Sequence, residues 1–388
     1  MEKEMRTICD YLKCTGCSAC KSACVHKAIS MVVTGDGFMY PQIDKQKCVD
    51  CGLCQKVCPA NSEKRILRHV LNTFLCWDKN EQSRLQSSSG GMFSVIARHV
   101  ISLGGAVCGA AYDDNMYLRH IIVDRIEDLP LLQGSKYIQS DVQDCYHQLV
   151  DILKEDRVVY FVGTPCQVAG LKGFLRKDYQ NLITSDLICH GVPSAVLFQK
   201  QVQVLEQIYS EKIKDFRFRS KKRFGQGYDC ELLLNSGRRK YLCAELVPYF
   251  YGFWHNLTLR ESCYHCKYAS IHRVGDITLG DFWLVKKVFP DVKTARGTSL
   301  ILVNTENGQQ LFDAIKRDIC CRETSLESGV MGQGQLQGPV KRPVMRDSYT
   351  SCDLDVLCKN ILKIPTKYRF KCHFRNIVKM MICYKYWK

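Results

Sequence analysis

No apolar run in this 388-residue sequence approaches the roughly twenty residues that a membrane-crossing helix needs, so a helical membrane span is not expected. The opening residues, MEKEMRTICDYLK, contain no apolar stretch of the kind a secretory signal requires. A cytoplasmic protein is therefore expected. Low-complexity segments are absent, and the only internal repeat is a pair of cysteine motifs. Acidic residues are in deficit: 39 Asp and Glu stand against 55 Lys and Arg, a formal charge of +16. Such an excess favours an acidic partner, such as a small acidic electron carrier, a phosphorylated cofactor or anionic lipid. A solvated basic surface is the plainer reading. No nucleic-acid-binding motif accompanies the charge, so no nucleic-acid partner is expected.

Cysteine, by contrast, is abundant, with 24 residues. The chain is too long for a disulfide scaffold and the spacings are those of metal ligands, which points to a reducing compartment. Two stretches carry the pattern C-x-x-C-x-x-C-x-x-x-C: Cys14, Cys17, Cys20 and Cys24, then Cys48, Cys51, Cys54 and Cys58. A tight loop wraps three thiolates round one [4Fe–4S] cubane while the fourth cysteine reaches the other cluster. This assigns Cys14, Cys17, Cys20 and Cys58 to one cluster, and Cys48, Cys51, Cys54 and Cys24 to a second. The stretch resembles a bacterial two-cluster ferredoxin. It departs from the pattern at one point, since Pro59 follows Cys58 but Val25 follows Cys24. Structural zinc is the competing reading, but zinc ligands come as separated cysteine pairs.

Residues 1–60 thus form a ferredoxin-type unit, with a β-hairpin between its halves around Gly35-Asp36-Gly37. Residues 61–69 are polar and basic and read as a linker, which makes the unit a separable module. A strand is expected over Val70–Trp77. A Ser/Gly loop at Ser87–Gly91 then opens a helix whose apolar residues Met92, Phe93, Ile96, Val100 and Leu103 recur at helical spacing. Backbone N–H groups at such a helix start suit a phosphate, and they equally suit an ordinary cap. Strands are expected at Gly105–Tyr112, Tyr117–Asp124, Val158–Val162 and Asn181–Ile188, with a helix over Val142–Lys154. Thr164 fits an N-cap and Pro165 the first helical position, which puts Cys166 in the first turn of a helix. Cys166 and Cys189 therefore follow two successive strands, where α/β sheets place their sites. Ile213–Cys243 reads as antiparallel strands. A loop then holds Cys263 and Cys266, and a strand at Ser299–Asn304 and a helix near Gln309–Arg317 restore the α/β pattern.

Six segments in this order, SSSGG, GSKY, GTPCQ, CHG, CYHC and GDITLGDFW, resemble the beta subunit of coenzyme F-420 (deazaflavin) hydrogenases and dehydrogenases. That family also includes flavin and iron–sulfur chlorophyllide reductases. The resemblance spans residues 70 to about 305. It implies FAD, a third [4Fe–4S] cluster, and electron transfer between them. On this basis Ser88, Ser89, Gly90 and Gly91 match a flavin loop, and Gly134, Ser135, Lys136 and Tyr137 a second flavin-contacting motif. Cys166, Cys189, Cys263 and Cys266 match the ligands of the third cluster. From the residues alone, a C-x-x-C pair also fits half a zinc site, and a helix N-terminus at Cys166 also fits an activated thiol. Lys136 reads either as a counter-charge to phosphate or reduced flavin, or as a solvated lysine. Asp276 and Asp281 either orient the site or cap turns. His190 and His265 flank ligands, where they either tune a cluster or are plain polar neighbours. The other twelve cysteines, Cys9 among them, fit no spacing and are expected to be inert.

The expected fold class is α+β: a two-cluster ferredoxin-like domain (1–60), a linker (61–69), an α/β flavin-binding domain with an inserted antiparallel β region (70–325), and a basic C-terminal tail (326–388). Lys363–Lys388 has no acidic residue and mixes Lys and Arg with aromatics, so peripheral membrane contact is one expectation for it. The expected function is an iron–sulfur flavoprotein oxidoreductase. It would move electrons between a ferredoxin or other acidic carrier, the clusters and FAD, to reduce or oxidise a small-molecule, sugar-linked or deazaflavin substrate. A non-catalytic electron-relay subunit is the alternative.

Overall fold

The computed structural model describes residues 7–62, 67–223, 225, 227 and 229–344. At the N-terminal end, strands β1 (Ile29–Val33) and β2 (Met39–Ile43) form the expected antiparallel hairpin, in register from Ile29↔Ile43 to Val33↔Met39. Asp36 closes its turn by accepting from the Phe38 N–H at 3.2 Å and the Thr34 hydroxyl at 2.5 Å. Short helices at Ala19–Ala23 and Leu53–Lys56 flank the hairpin.

The body of the chain contributes β3 (Asn72–Asp78), β4 (Ala106–Tyr112), β5 (Leu118–Val123), β6 (Val159–Gly163) and β7 (Leu182–Leu187). A separate antiparallel layer follows: β8 (Ile213–Ser220), β9 (Asp229–Leu234) and β10 (Arg239–Cys243). The chain then returns with β11 (Ile277–Asp281), β12 (Ser299–Val303) and β13 (Ile319–Thr324). The main sheet is mixed and runs β13-β3-β12-β11-β7-β6-β4-β5. Its centre, β11-β7-β6-β4, is parallel, and both flanks are antiparallel. Central strands are apolar on both faces: all five residues of β12 are buried, as expected where helices cover both sides of a sheet. One core gathers the helix Met92–Ser102 and the helix Glu306–Ile315 against the sheet, and another gathers the helices Cys145–Lys154 and Pro165–Leu175 against the opposite face.

The mixed α/β body and the antiparallel insertion match the expected architecture. β13 was not foreseen, because only Ile319 of its six residues is buried and the strand carries little apolar signal. The expected linker ends inside the fold, where Arg68 pairs with Arg273 in an isolated antiparallel bridge. Residues 326–344, grouped with the tail on sequence, pack on the body through buried Gln333 and Leu336. The basic segment 363–388 lies outside the described residues. Among the described residues, no helix is long and apolar enough to cross a membrane.

Candidate iron–sulfur centre

The two cysteine loops have the same backbone design. Positive φ values bracket the middle cysteine of each: Gly16 (+67°) and Ser18 (+63°) around Cys17, Asp50 (+56°) and Gly52 (+72°) around Cys51. This left-handed punctuation curls each loop so that its three thiols point to one side. Cys14, Cys17, Cys20 and Cys58 line one cavity. Cys24, Cys48, Cys51 and Cys54 line another. The exchange of the fourth ligand between the two halves is therefore present in the geometry. The first set is buried, whereas Cys48 and Cys51 of the second are exposed.

Cys9, which fits no spacing in the sequence, sits beside the first cysteine set. It lines the first cavity and hydrogen-bonds to both Cys14 and Cys58. Those bonds push the Cys9 thiol upward. The same bond lowers Cys14 to about 6 against the effect of burial, and the Arg260 charge adds to the lowering. Cys58 falls to about 7 for the same first reason. Burial pushes Cys17 up to about 12. No motif marks Cys9, so nothing local in the sequence could have found it.

A third set forms at the edge of the main sheet. β6 and β7 are adjacent and parallel, so their C-terminal ends lie side by side. Cys166 follows β6 and Cys189 follows β7. Thr164 and Gln167 build a capping box at the start of the helix Pro165–Leu175, which fixes Cys166 in its first turn. A bridge between Pro193 and Leu259, and a bond from the Arg260 N–H to the Val192 carbonyl at 2.9 Å, bring the segment with Cys263 and Cys266 alongside Cys189. Arg273 anchors the far end of that segment. Its fully buried guanidinium pairs with Asp186 at 3.0 Å and also donates to the carbonyls of Tyr268, Ser270 and Leu187. As a result Cys166, Cys189, Cys263 and Cys266 line one cavity of about 450 Å³.

Burial pushes Cys189 well above the usual thiol range, and neighbouring Cys263, Cys166 and Cys266 push it further. Cys263 rises to about 12 and Cys266 to about 11, in both cases first through burial. Cys166 is raised as well, which is the wrong direction for an activated nucleophile. Buried thiols that repel one another as anions are relieved when a metal centre takes up their charge.

The first and third cavities share walls. Thr15, Ala60 and the third cavity's lining meet there, and Arg260 lies between Cys14 and the third set. The helix Pro165–Leu175 packs on the N-terminal unit through Gly170, beside Cys17, and the helix Cys145–Lys154 does so through Tyr146. Tyr146 Oη lies 3.1 Å from the Cys17 carbonyl and 2.9 Å from the Gln167 carbonyl. Ser194, the N-cap of the helix Ala195–Tyr209, donates to the Gly37 carbonyl at the hairpin tip at 2.9 Å.

The two flavin-matched motifs also come together. The Ser135 N–H donates to Ser88 Oγ at 2.7 Å. Ser89 Oγ donates to the Thr298 carbonyl, and the Gly90 N–H to Ser299 Oγ at 2.9 Å. Gly90 is required for packing, since a Cβ there would lie 2.5 Å from the Cys76 carbonyl oxygen and 2.7 Å from the Ser299 nitrogen. Gly91, at φ +94°, is the N-cap of the helix that follows. Gly134, at φ +84°, adopts a left-handed backbone, and a Cβ there would meet only Ser88 Oγ, at 4.0 Å. Lys136 is no free surface lysine. Its ammonium donates to the Gln133 carbonyl at 3.0 Å, and burial lowers it to about 8. Tyr137 packs among Phe218, Phe250 and Phe253. Lys221, which sequence reasoning missed, locks the loop by donating to the carbonyls of Arg84, Ser89 and Arg296.

Asp276 is structural: it accepts from the Thr184 N–H and hydroxyl and from Thr305. Asp281 pairs with Arg219 at 2.5 Å. His190 and His265 both line the third cavity. His190 bonds Asn256 at 2.7 Å and is lowered by burial, while His265 is exposed.

Residues 156–328 match the family model that describes the C-terminal part of the coenzyme F420 hydrogenase/dehydrogenase beta subunit. Residues 13–62 match the 4Fe-4S dicluster domain. The SSSGG and GSKY motifs lie outside both ranges. A curated relative, the coenzyme F420-dependent sulfite reductase of Methanocaldococcus jannaschii, is 24% identical over 327 residues. The match covers 81% of this chain and 48% of that protein, so the chain spans about half the relative's length. A chain of the F420-reducing [NiFe] hydrogenase complex from Methanosarcina barkeri superposes with a TM-score of 0.45 at 13% identity, covering 78% of this chain and 93% of that one. The eight thiols arranged as two four-cysteine sets fit the 4Fe-4S dicluster match, and the other two matches are to proteins whose descriptions name coenzyme F420. Over residues 156–328 the chain is similar to the coenzyme F420 hydrogenase/dehydrogenase beta subunit, and over residues 13–62 to the 4Fe-4S dicluster domain.

Proposed function

We propose that this chain is an iron–sulfur flavoprotein that moves electrons between three [4Fe–4S] clusters and FAD, to reduce or oxidise an organic substrate or a deazaflavin. The observation that carries this reading is the third cavity. Four cysteines from three separate segments surround it, and it adjoins the first N-terminal cysteine set. The four cysteines are among the residues that line a space of about 450 Å³. Among the described residues, no three His, Cys, Asp or Glu side chains gather round a point as single-ion ligands do. In a zinc site with Zn–S near 2.3 Å, sulfurs sit roughly 3.8 Å apart. Cysteines that line a space without closing on one point favour a cubane.

Cys166, Cys189, Cys263 and Cys266 would hold the third cluster. Ser88, Gly134 and Lys136 would receive FAD where their two loops meet. A bound flavin supplies conversion between one-electron and hydride-type transfer. The chain's own contribution is position and electrostatics: buried thiols close to one another, a buried cation at the shared wall, and a lysine of lowered pKa at the flavin loops. For the entry face, the second N-terminal set supports an acidic electron carrier. Its exposed Cys48 and Cys51 share a cavity with exposed Val25 and Val49, and Lys45 and Asp50 line the same cavity. An exposed cysteine set with apolar contact around it fits docking of a small electron-carrier protein, and the +16 formal charge of the chain favours an acidic one.

Anaerobic quantitation of iron, sulfide and flavin tests the reading. About twelve irons per chain are expected, four for each of three cubanes. The double variant Cys263→Ser, Cys266→Ser should fall to about eight and keep the N-terminal signals. Wild-type iron near eight, unchanged in the double variant, would remove the third cluster. Turnover of a substrate by the purified chain with reduced ferredoxin would exclude a pure relay.

A further inference from the structure

Arg260 is fully buried, at 0% exposure. Its Nε donates to the Cys14 carbonyl at 2.8 Å, and its two terminal nitrogens to Gln139 Oε1 at 3.1 Å and to the Met39 carbonyl at 3.0 Å. One of them also lies 3.6 Å from Cys14 Sγ. The guanidinium stacks 4.0 Å above the Tyr40 ring and 5.5 Å from Phe38. None of these partners is a carboxylate. An unpaired buried cation is costly, by several kcal/mol in general, so the fold needs an anion nearby. A cubane held by four thiolates is that anion, and Cys14 is one of its ligands.

The cysteine loop is shaped to admit this group. Gly16, at φ +67°, stands between Cys14 and Cys17, and a Cβ there would lie 3.0 Å from Arg260 Nη1 and 2.6 Å from Gln139 Nε2. Gln139 in turn donates to the Thr15 carbonyl at 3.1 Å. Arg260 also belongs to the other wall. It lines the third cavity, and its carbonyl accepts from the Cys263 N–H at 2.9 Å. It therefore ties the C-x-x-C segment to the first ligand loop.

We propose that Arg260 is a positioning residue for the cluster at Cys14, Cys17, Cys20 and Cys58, and that it raises that cluster's reduction potential. The cluster gains one negative charge on reduction. A buried guanidinium that donates toward a ligand sulfur stabilises the reduced form more than the oxidised one. The inference stands on the N-terminal clusters alone and does not require a third cluster or a flavin.

The test is anaerobic protein-film voltammetry of the full chain, with waves assigned through Cys48→Ser, which disturbs only the exposed cluster. In Arg260→Met, the reduced-to-oxidised ratio of the Cys14 cluster at a fixed poise should fall at least tenfold, a shift of about 59 mV for a one-electron couple. Arg260→Lys keeps the charge and should recover part of the shift, and the wave of the exposed cluster should not move. An anchor with no electrostatic role would lower stability in both variants and leave the midpoint in place, which would overturn the proposal. A second measurement covers loss of iron from the variants. Wild-type protein labelled with ¹⁵N-arginine should give a ¹⁵N coupling to the reduced cluster in pulsed EPR. Its absence would equally overturn the assignment.

Discussion

Two glycines in one helix decide whether the cluster unit is docked or merely tethered. Cys166, Gly170 and Gly173 fall at i, i+4 and i+7 of the helix Pro165–Leu175, so they share one face. A Cβ on Gly170 would sit 2.8 Å from Cys17 Cβ and 3.0 Å from Cys17 Sγ. A Cβ on Gly173 would overlap the Val57 carbonyl oxygen. Glycine inside a helix costs roughly 0.5–1 kcal/mol relative to alanine. If the face were free, Gly→Ala would stabilise the protein by that amount. Forcing a methyl into a packed contact costs about 1–3 kcal/mol. At Gly173 the obstacle is backbone, which cannot rotate away. At Gly170 it is Cys17, which a bound cluster would hold in place. Overpacking therefore wins at both sites. Each substitution should destabilise the chain by about 1–2 kcal/mol net, and the pair should promote iron loss from the Cys14 cluster. The assay is denaturant unfolding of anaerobically prepared protein, with visible absorbance reporting iron alongside a backbone signal. A Gly173→Ala variant more stable than wild type, with iron intact, would refute the docked arrangement.

Other outcomes follow from the same geometry. His120 is fully buried, with Nε2 3.1 Å from the Val162 carbonyl and Nδ1 3.0 Å from Ser140 Oγ, and burial lowers it from 6.5 to about 4. Below pH 6.5 the unfolded chain takes up a proton that the folded chain refuses, so stability present above 6.5 is lost as pH falls toward 4. The loss is about 3 kcal/mol at 1.36 kcal/mol per pH unit, and a His120→Gln variant that keeps the full slope in pH-dependent denaturation would contradict it. Cys9→Ala should retain all the N-terminal iron, because Cys9 is a hydrogen-bonding neighbour of two ligands; loss of four irons on analysis would make it a ligand. Gly90→Ala should lower global stability, since its Cβ would collide with Cys76 and Ser299 backbone. A Gly90→Ala variant with a wild-type melt but no flavin would instead return that position to direct contact with FAD.

What the sequence disclosed follows from the distance over which each interaction is encoded. The grouping of the N-terminal cysteines into two sets was legible because three of every four sit within one loop, and the spacing itself carries the geometry. Cys166 and Cys189 were legible as strand-end residues, since parallel neighbours put their C-terminal ends on one edge. Their meeting with Cys263 and Cys266 was carried by the family resemblance, because the Pro193–Leu259 bridge and the Asp186–Arg273 pair have no local signature. Arg260 and Cys14 are separated by 246 positions, and a buried arginine without a carboxylate looks, on sequence, like any other arginine. The same limit hid Lys221, whose acceptors are all backbone carbonyls. β13 escaped for a different reason: an edge strand with one buried residue has no alternation to read.

The polar stretch at 61–69 suggested a separable ferredoxin module, and the packing argues against treating it so. Thr15 and Ala60 form part of the third cavity's wall. Without residues 1–60, Arg260 would lose the Cys14 carbonyl, Cys14 Sγ and the Met39 carbonyl, keeping only Gln139 of its polar partners here. The glycine face of the helix Pro165–Leu175 would lose its cover, and so would Tyr146 beside Cys17. A truncated chain would therefore confound electron entry with damage to the third site. Single substitutions at Cys48 or Cys51 separate the two, because those thiols are exposed and line a cavity that shares no residue with the third one. The linker makes the unit look detachable, but a buried charge and a glycine stripe make it one wall of the next site.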